Sequence, residues 1–220
     1  MLNFSPAMVD LLYRATIETL VMVGVSTAIA GVLGLALGVL LVVTGRGQIL
    51  PFPALNAILS PIVDLGRSIP FIILLVAIIP FTRLRVGTSI GTNAATVPLV
   101  VAAIPLVARL VESGVKEVDH SVVEAVTAMG ANPWQVIWKV YLPEALPALI
   151  RGITITAISL VGYSAMAGVV GGGGLGDVAI RYGYQRFQGD VMLATVVILV
   201  VMVQLIQFLG EALAGRFDHR

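Results

Sequence analysis

Long stretches of the chain lack any Asp, Glu, Lys or Arg: Thr19 to Gly45, Val86 to Ala108, Gly152 to Gly176 and Val191 to Gly210, of 27, 23, 25 and 20 residues. A helix needs about 20 residues, at 1.5 Å rise each, to cross the roughly 30 Å hydrocarbon core of a bilayer, so every one of these stretches is long enough. A fifth run, Ser68 to Thr82, has only 15 residues. It spans only if its helix begins further back, near Leu55, and carries Asp64 and Arg67 in its first half. The pattern therefore predicts five spans, near Leu20–Val43, Leu55–Pro80, Thr92–Leu110, Leu146–Val169 and Val191–Ala212. Membrane strands would alternate apolar and polar residues, whereas Ile69 to Ile79 and Val196 to Val203 are apolar on every side. The fold class expected is an all-α membrane protein.

Charge makes up 11% of the 220 residues and apolar side chains 58%, against roughly 25% charge in a soluble domain. The 13 basic and 12 acidic side chains are nearly balanced and the basic ones are scattered, which removes the electrostatic footprint of nucleic-acid binding. The absence of cysteine excludes disulfides, thiolate metal sites and cysteine nucleophiles. His120 and His219 are the two histidines. No Gly-Lys-Ser or Gly-Lys-Thr occurs, so there is no P-loop. Gly171, Gly173 and Gly176 match a dinucleotide fingerprint in spacing but follow an apolar span instead of a strand. No catalytic, cofactor or metal site is expected.

Five spans put the termini on opposite sides of the membrane. With the N-terminus outside, the inner side holds Arg46, Arg67, Arg109, Lys116, Lys139, Arg151, Arg216 and Arg220, and the outer side Arg14, Arg83, Arg85, Arg181 and Arg186. That split follows the positive-inside tendency and favours an inner (cytoplasmic) membrane protein with N-terminus out and C-terminus in. The first run is too long for a secretory h-region and no basic residue precedes it in Met1 to Tyr13, so it is expected to persist as a span.

Glu112 to Glu144 is the longest stretch with recurring charge. Ser121 and Glu124 have capping-box spacing, and Val122, Val123, Ala125, Val126 and Met129 supply an apolar face. Gly130 stands where a helix ends; Asn132 and Pro133 begin a second short helix, Trp134 to Val140, which Leu142, Pro143 and Glu144 are expected to break. Two short helices joined at a glycine would present a knob on the inner face.

Glu124, Ala125, Gly130, Leu142 and Pro143 resemble the EAA motif of ABC importer permeases, with Val126 for the usual second alanine and Val140 for the usual isoleucine. The resemblance implies the type I ABC importer permease architecture, with this loop docking on a separate ATP-binding subunit. The segments Gly66-Arg67-Ser68-Ile69-Pro70-Phe71, Pro80-Phe81-Thr82-Arg83, Val86 to Gly91, Glu144-Ala145-Leu146-Pro147 and Leu160 to Met166 narrow it further. Along nearly its whole length the chain is similar to permease subunits of bacterial methionine importers. That implies a transmembrane domain over residues 16–207 with a coupling loop over about 112–144, an outer segment 1–15 and a cytoplasmic tail 208–220. It also implies a second permease copy, an ATPase pair that does the hydrolysis and a methionine-binding lipoprotein. A permease for another amino acid or an osmoprotectant shares the loop, and an ion-coupled carrier or a scaffold are the readings from other classes.

Ala30, Gly34 and Gly38 form a small-xxx-small stripe expected to pack on another helix. Asp64 and Arg67 are expected to pair with each other near the inner interface, or else to mark an ion path, and Glu18 invites the same two readings. Gly171 to Gly174 read as a turn or as a gate. Tyr163 and Met166, three apart near the outer end of the fourth span, either line the path of a thioether substrate or fill a helix interface.

Overall fold

The computed structural model describes residues 5–217. His219 and the last residues of the expected tail lie outside them, as do residues 1–4. The first helix, α1 (Pro6–Val43), starts where Ser5 Oγ accepts the Met8 amide and Pro6 occupies the first turn. Residues 6–15, read from sequence as a segment ahead of the first span, are therefore its first turns. At 1.5 Å per residue α1 is about 57 Å long, well beyond a bilayer core.

The second pass is broken. α2 (Pro53–Ser68) and α3 (Phe71–Ala77) meet at 103°, because Pro70 drives Ile69 out of the helical region, to ψ 122°. The single helix expected over Leu55–Pro80 is corrected to this bent pair. It is followed by α4 (Ile79–Val86), which ends on Gly87, and by α5 (Thr92–Lys116). Next come α6 (His120–Ala128) and α7 (Pro133–Val136), then a π turn, Ile137–Tyr141, that passes without interruption into α8 (Leu142–Val169). After a glycine turn, α9 (Gly174–Val178) and a second π segment, Ala179–Tyr184, lead to α10 (Gly189–Phe217). Four passes, α1, α5, Pro133–Val169 and α10, are each long and apolar enough to cross a membrane, and the bent pair makes up to a fifth.

Leu142 and Pro143 thus do not break the chain, contrary to the expectation from sequence. A proline in an α-helix clashes with the carbonyl four residues back. Here the preceding turn widens so that the Leu142 amide reaches Ile137 O, five residues back, and the helix carries on through Pro143 and Pro147.

The stripe on α1 determines how the helices meet. A Cβ on Gly34 would lie 2.5 Å from Val107 Cβ; one on Gly38 would lie 2.5 Å from Ala108 O and 2.6 Å from Val111 Cβ. The numbers rise together on both helices, so α1 and α5 are parallel neighbours with backbones in near contact. α8 runs antiparallel to α5, matching Gly114 to Ala148 and Gly152 to Leu110, and α2 does the same, matching Gly66 to Pro105. Gly210 of α10 packs on Thr154 of α8. The chain therefore alternates direction through five passes, and its two termini lie at opposite ends of the bundle.

Since dispersion between closely packed helices drives association in lipid, Gly38→Val should cost about 2 kcal/mol through overpacking and lower the thermal unfolding midpoint of the purified protein in detergent. Gly24→Ala, where no heavy atom comes within 4 Å, should leave the midpoint unchanged or raise it.

Candidate functional site

At one end of the bundle α6 and α7 form a projecting knob. Asp119 caps α6: its Oδ1 accepts the Ser121 amide at 2.9 Å, and this backbone hydrogen bond holds the carboxyl below its ordinary range. The capping box expected between Ser121 and Glu124 is corrected accordingly. Ser121 lies inside the helix, and Glu124 instead faces His120 Nδ1 at 3.3 Å on the exposed surface. α6 ends as expected at Gly130. With φ at 88° it lets its own amide reach Thr127 O at 2.9 Å and the Ala131 amide reach Val126 O at 3.3 Å. These two bonds are the Schellman pair that closes a helix C-terminus. Asn132 and Gln135 then exchange reciprocal 2.9 Å bonds in the second cap.

Of the apolar face expected on α6, only Val123 is buried; Val126 is half-buried, while Val122, Ala125 and Met129 are exposed. Met129, Trp134 and Trp138 are 78%, 69% and 65% exposed. Large apolar side chains presented together mark an interaction surface. The two tryptophans were not singled out from sequence, although their four-residue spacing in a polar segment was the available signal. Leu142 is half-buried and Pro143 exposed at the base of the knob. The Tyr141 hydroxyl donates to Gln48 Oε1 at 3.2 Å, tying the knob to the α1–α2 connection.

Above the knob a trough runs along α5. That helix is covered by α1 at Ile104, Val107, Ala108 and Val111, by α8 at Leu110 and Gly114, and by α2 at Pro105 and Arg109. At about 100° per residue the side between α2 and α8 carries Ala102 and Leu106, both half-buried, and the exposed Ser113. The α8 flank of the trough shows Ile155, Ser159, Gly162 and Met166, of which Met166 is 48% exposed. The α2 flank carries Ser60, Asp64 and Arg67 on one face. α3 crosses the far end, where Phe71 stacks on Tyr163 with ring centroids 4.7 Å apart and planes 5° from parallel. Tyr163 and Met166 therefore occupy different places: Tyr163 sits in the closure, Met166 on the open flank.

Asp64 does not pair with Arg67. It accepts from Arg109 of α5, Nη2 to Oδ2 at 2.8 Å and Nε to Oδ1 at 3.0 Å. Arg109 also donates to Ser60 O and Oγ at 2.8 and 2.7 Å and pairs with Glu112, which in turn accepts Lys116 Nζ at 2.7 Å. The sequence interval of three residues identified a shared face on α2, but the partner comes from 45 residues away.

At the opposite end from the knob, Glu18 and Thr19 of α1 hold the glycine turn. Glu18 Oε2 accepts the Gly174 amide at 2.7 Å and Thr19 Oγ1 accepts the Leu175 amide at 2.9 Å. The Gly91 amide adds a bond to Gly171 O at 2.9 Å. Gly168 and Gly176 allow α9 to lie directly on the backbone of α8, and Asp177 pairs with Arg181. Gly171 to Gly174 thus form a pinned turn. Glu18→Ala removes a hydrogen bond to a charged group, worth about 1.5–3 kcal/mol, and should speed hydrogen–deuterium exchange at Gly174 by about tenfold or more.

The model of the family described as "Binding-protein-dependent transport system inner membrane component" matches residues 30–220. The probable D-methionine transport system permease protein MetI of Vibrio cholerae is 56% identical over 211 residues, covering 96% of this chain and 94% of that protein. The methionine import system permease protein MetP of Bacillus subtilis is 44% identical over 95% of this chain and 94% of its own. A chain of the MetNI methionine ABC transporter, solved in inward-facing conformations, superposes with a TM-score of 0.97 at 51% identity, covering 98% of this chain and 100% of that one. An amino acid ABC transporter chain at 19% identity and a TM-score of 0.77 shares the fold.

Proposed function

The chain belongs to the binding-protein-dependent transport system inner membrane components, and on that premise we propose that it is the permease subunit of an ATP-driven methionine importer. The observation that carries the reading is the continuity of the exposed knob with one wall of the trough: α7, the π turn and α8 are a single helical run from Pro133 to Val169. A partner that grips Trp134 and Trp138 holds the same helical run that bears Met166.

In this reading two copies of the chain face each other across their troughs, within a membrane domain spanning residues 16–207. The knob, inside the coupling loop 112–144, docks on a separate ATP-binding subunit through Glu124, Ala125, Gly130 and the neighbouring apolar residues, while Leu142 and Pro143 form its base. The knob end is cytoplasmic, so the N-terminus is outside and the C-terminus inside. Hydrolysis belongs to the ATPase, and this chain performs no chemistry. A methionine-binding lipoprotein delivers substrate at the end closed by Phe71 and Tyr163. ATP-driven closure of the ATPase pair draws the knobs together, tilts α8 and parts that stack, and substrate then passes Met166 and Tyr163 and descends along Ser159 and Ile155.

Two measurements test this. Reconstituted permease, ATPase and binding protein should take up labelled L- or D-methionine in an ATP-dependent way, and uptake that other amino acids suppress but methionine does not would overturn the substrate. Gly130→Trp forces a bulky side chain onto a left-handed position at the docking turn. It should lower uptake at least about tenfold, with a purified permease that still passes size exclusion as a dimer but no longer retains the ATPase or no longer couples its hydrolysis to uptake. Uptake at the wild-type rate would remove the coupling assignment.

A further inference from the structure

The trough contains one charge that nothing balances. Asp64, Arg109, Glu112 and Lys116 are two acids and two bases in a connected set of ion pairs. Arg67 has neither an ion pair nor a hydrogen bond among the described residues, and its side chain is exposed. It lies seven residues after Ser60 and three after Asp64, hence on the α2 face that Arg109 approaches. The exposed apolar residues Ile58, Ile62 and Leu65 occupy the other side of the helix.

Gly66 packs on Pro105, 11 residues before Lys116 at the end of α5, which at 1.5 Å per residue places Arg67 about 16 Å along the bundle from that end, level with the middle of α5. Ionisable groups at such depth face a water-filled cavity and mark a substrate path. The last turn of α2 favours a cation through the helix dipole, but a dipole does not replace the hydrogen bonds that five N–H donors require.

We infer that Arg67 receives the α-carboxylate of the amino-acid substrate as it passes through the trough. A guanidinium matches a carboxylate in bidentate geometry, and among the described residues Arg67 is a free positive charge beside a balanced set. The α8 flank level with Arg67, with the exposed Ile155, is left for the substrate side chain. The inference rests on the transport reading above and adds a specific contact to it.

The test compares the wild-type complex with Arg67→Gln and Arg67→Lys, reconstituted with ATPase and binding protein and supplied with labelled L-methionine. Arg67→Gln should lower the initial uptake rate at least tenfold while ATP hydrolysis stimulated by the binding protein stays within twofold of wild type. Arg67→Lys, which keeps the charge but loses the bidentate fork, should recover at least a third of wild-type uptake. Wild-type uptake by Arg67→Gln, or a parallel fall of uptake and hydrolysis in both variants, overturns the inference. Failure of the wild-type complex to take up methionine overturns the transport reading itself, and this contact with it.

Discussion

The near contact of the α1 and α5 backbones is what the other helices depend on. In lipid there is no gain from hiding one apolar surface against another, so association rests on atoms that interlock closely. Gly34 and Gly38 remove the side chains that would hold the two helices apart, and Val107 and Val111 fill the space. With α5 fixed in this way, its remaining sides receive α8 and α2 through Gly114, Gly152 and Gly66. The side left over is the trough. It carries the half-buried Ala102 and Leu106 and the exposed Ser113, and α3 and α4 also reach α5.

Polar groups inside such a bundle have to be answered locally, and most are. Thr16, Thr19, Thr154, Thr156 and Thr195 donate to carbonyls one turn back on their own helices. Arg109 gathers Asp64, Ser60 and Glu112 around one guanidinium, so that α2 and α5 are joined by charge where they are not joined by interlocking side chains. At the far end Glu18 spends its carboxylate on a backbone amide of the glycine turn. Each arrangement satisfies a group that the bilayer would otherwise penalise by several kcal/mol.

Length and lack of charge were enough to read the spans from the sequence, because a bilayer imposes one requirement on every helix that crosses it. The stripe at Ala30, Gly34 and Gly38 was legible for the same reason: small residues four apart have few other uses in lipid. Gly130, Asn132 and Pro133 were legible because caps are local. What escaped is everything decided by a distant segment. The nearest opposite charge to Asp64 along the chain is Arg67, and nothing in the spacing reveals that Arg109 arrives from another helix. A proline usually stops a helix, and nothing in the residues around Pro143 announces the widened turn that accommodates it. Asp119 displaced Ser121 as the cap by beginning the helix two residues earlier, a shift within the ordinary fraying of helix boundaries. The break after Ser68 was within reach, since Pro70 disfavours helix at Ile69.

The uninterrupted run from Pro133 to Val169 also has a mechanical consequence. Its 37 residues make a rod about 55 Å long at 1.5 Å per residue, and a tilt of about 5° about one end displaces the other by about 5 Å. At Tyr163, about 45 Å from Pro133 along the helix, the same tilt displaces the ring by about 4 Å, comparable with the 4.7 Å separation of the Phe71 and Tyr163 rings. A small rotation at the knob is therefore carried along one helical run into a displacement comparable with the aromatic contact at the far end.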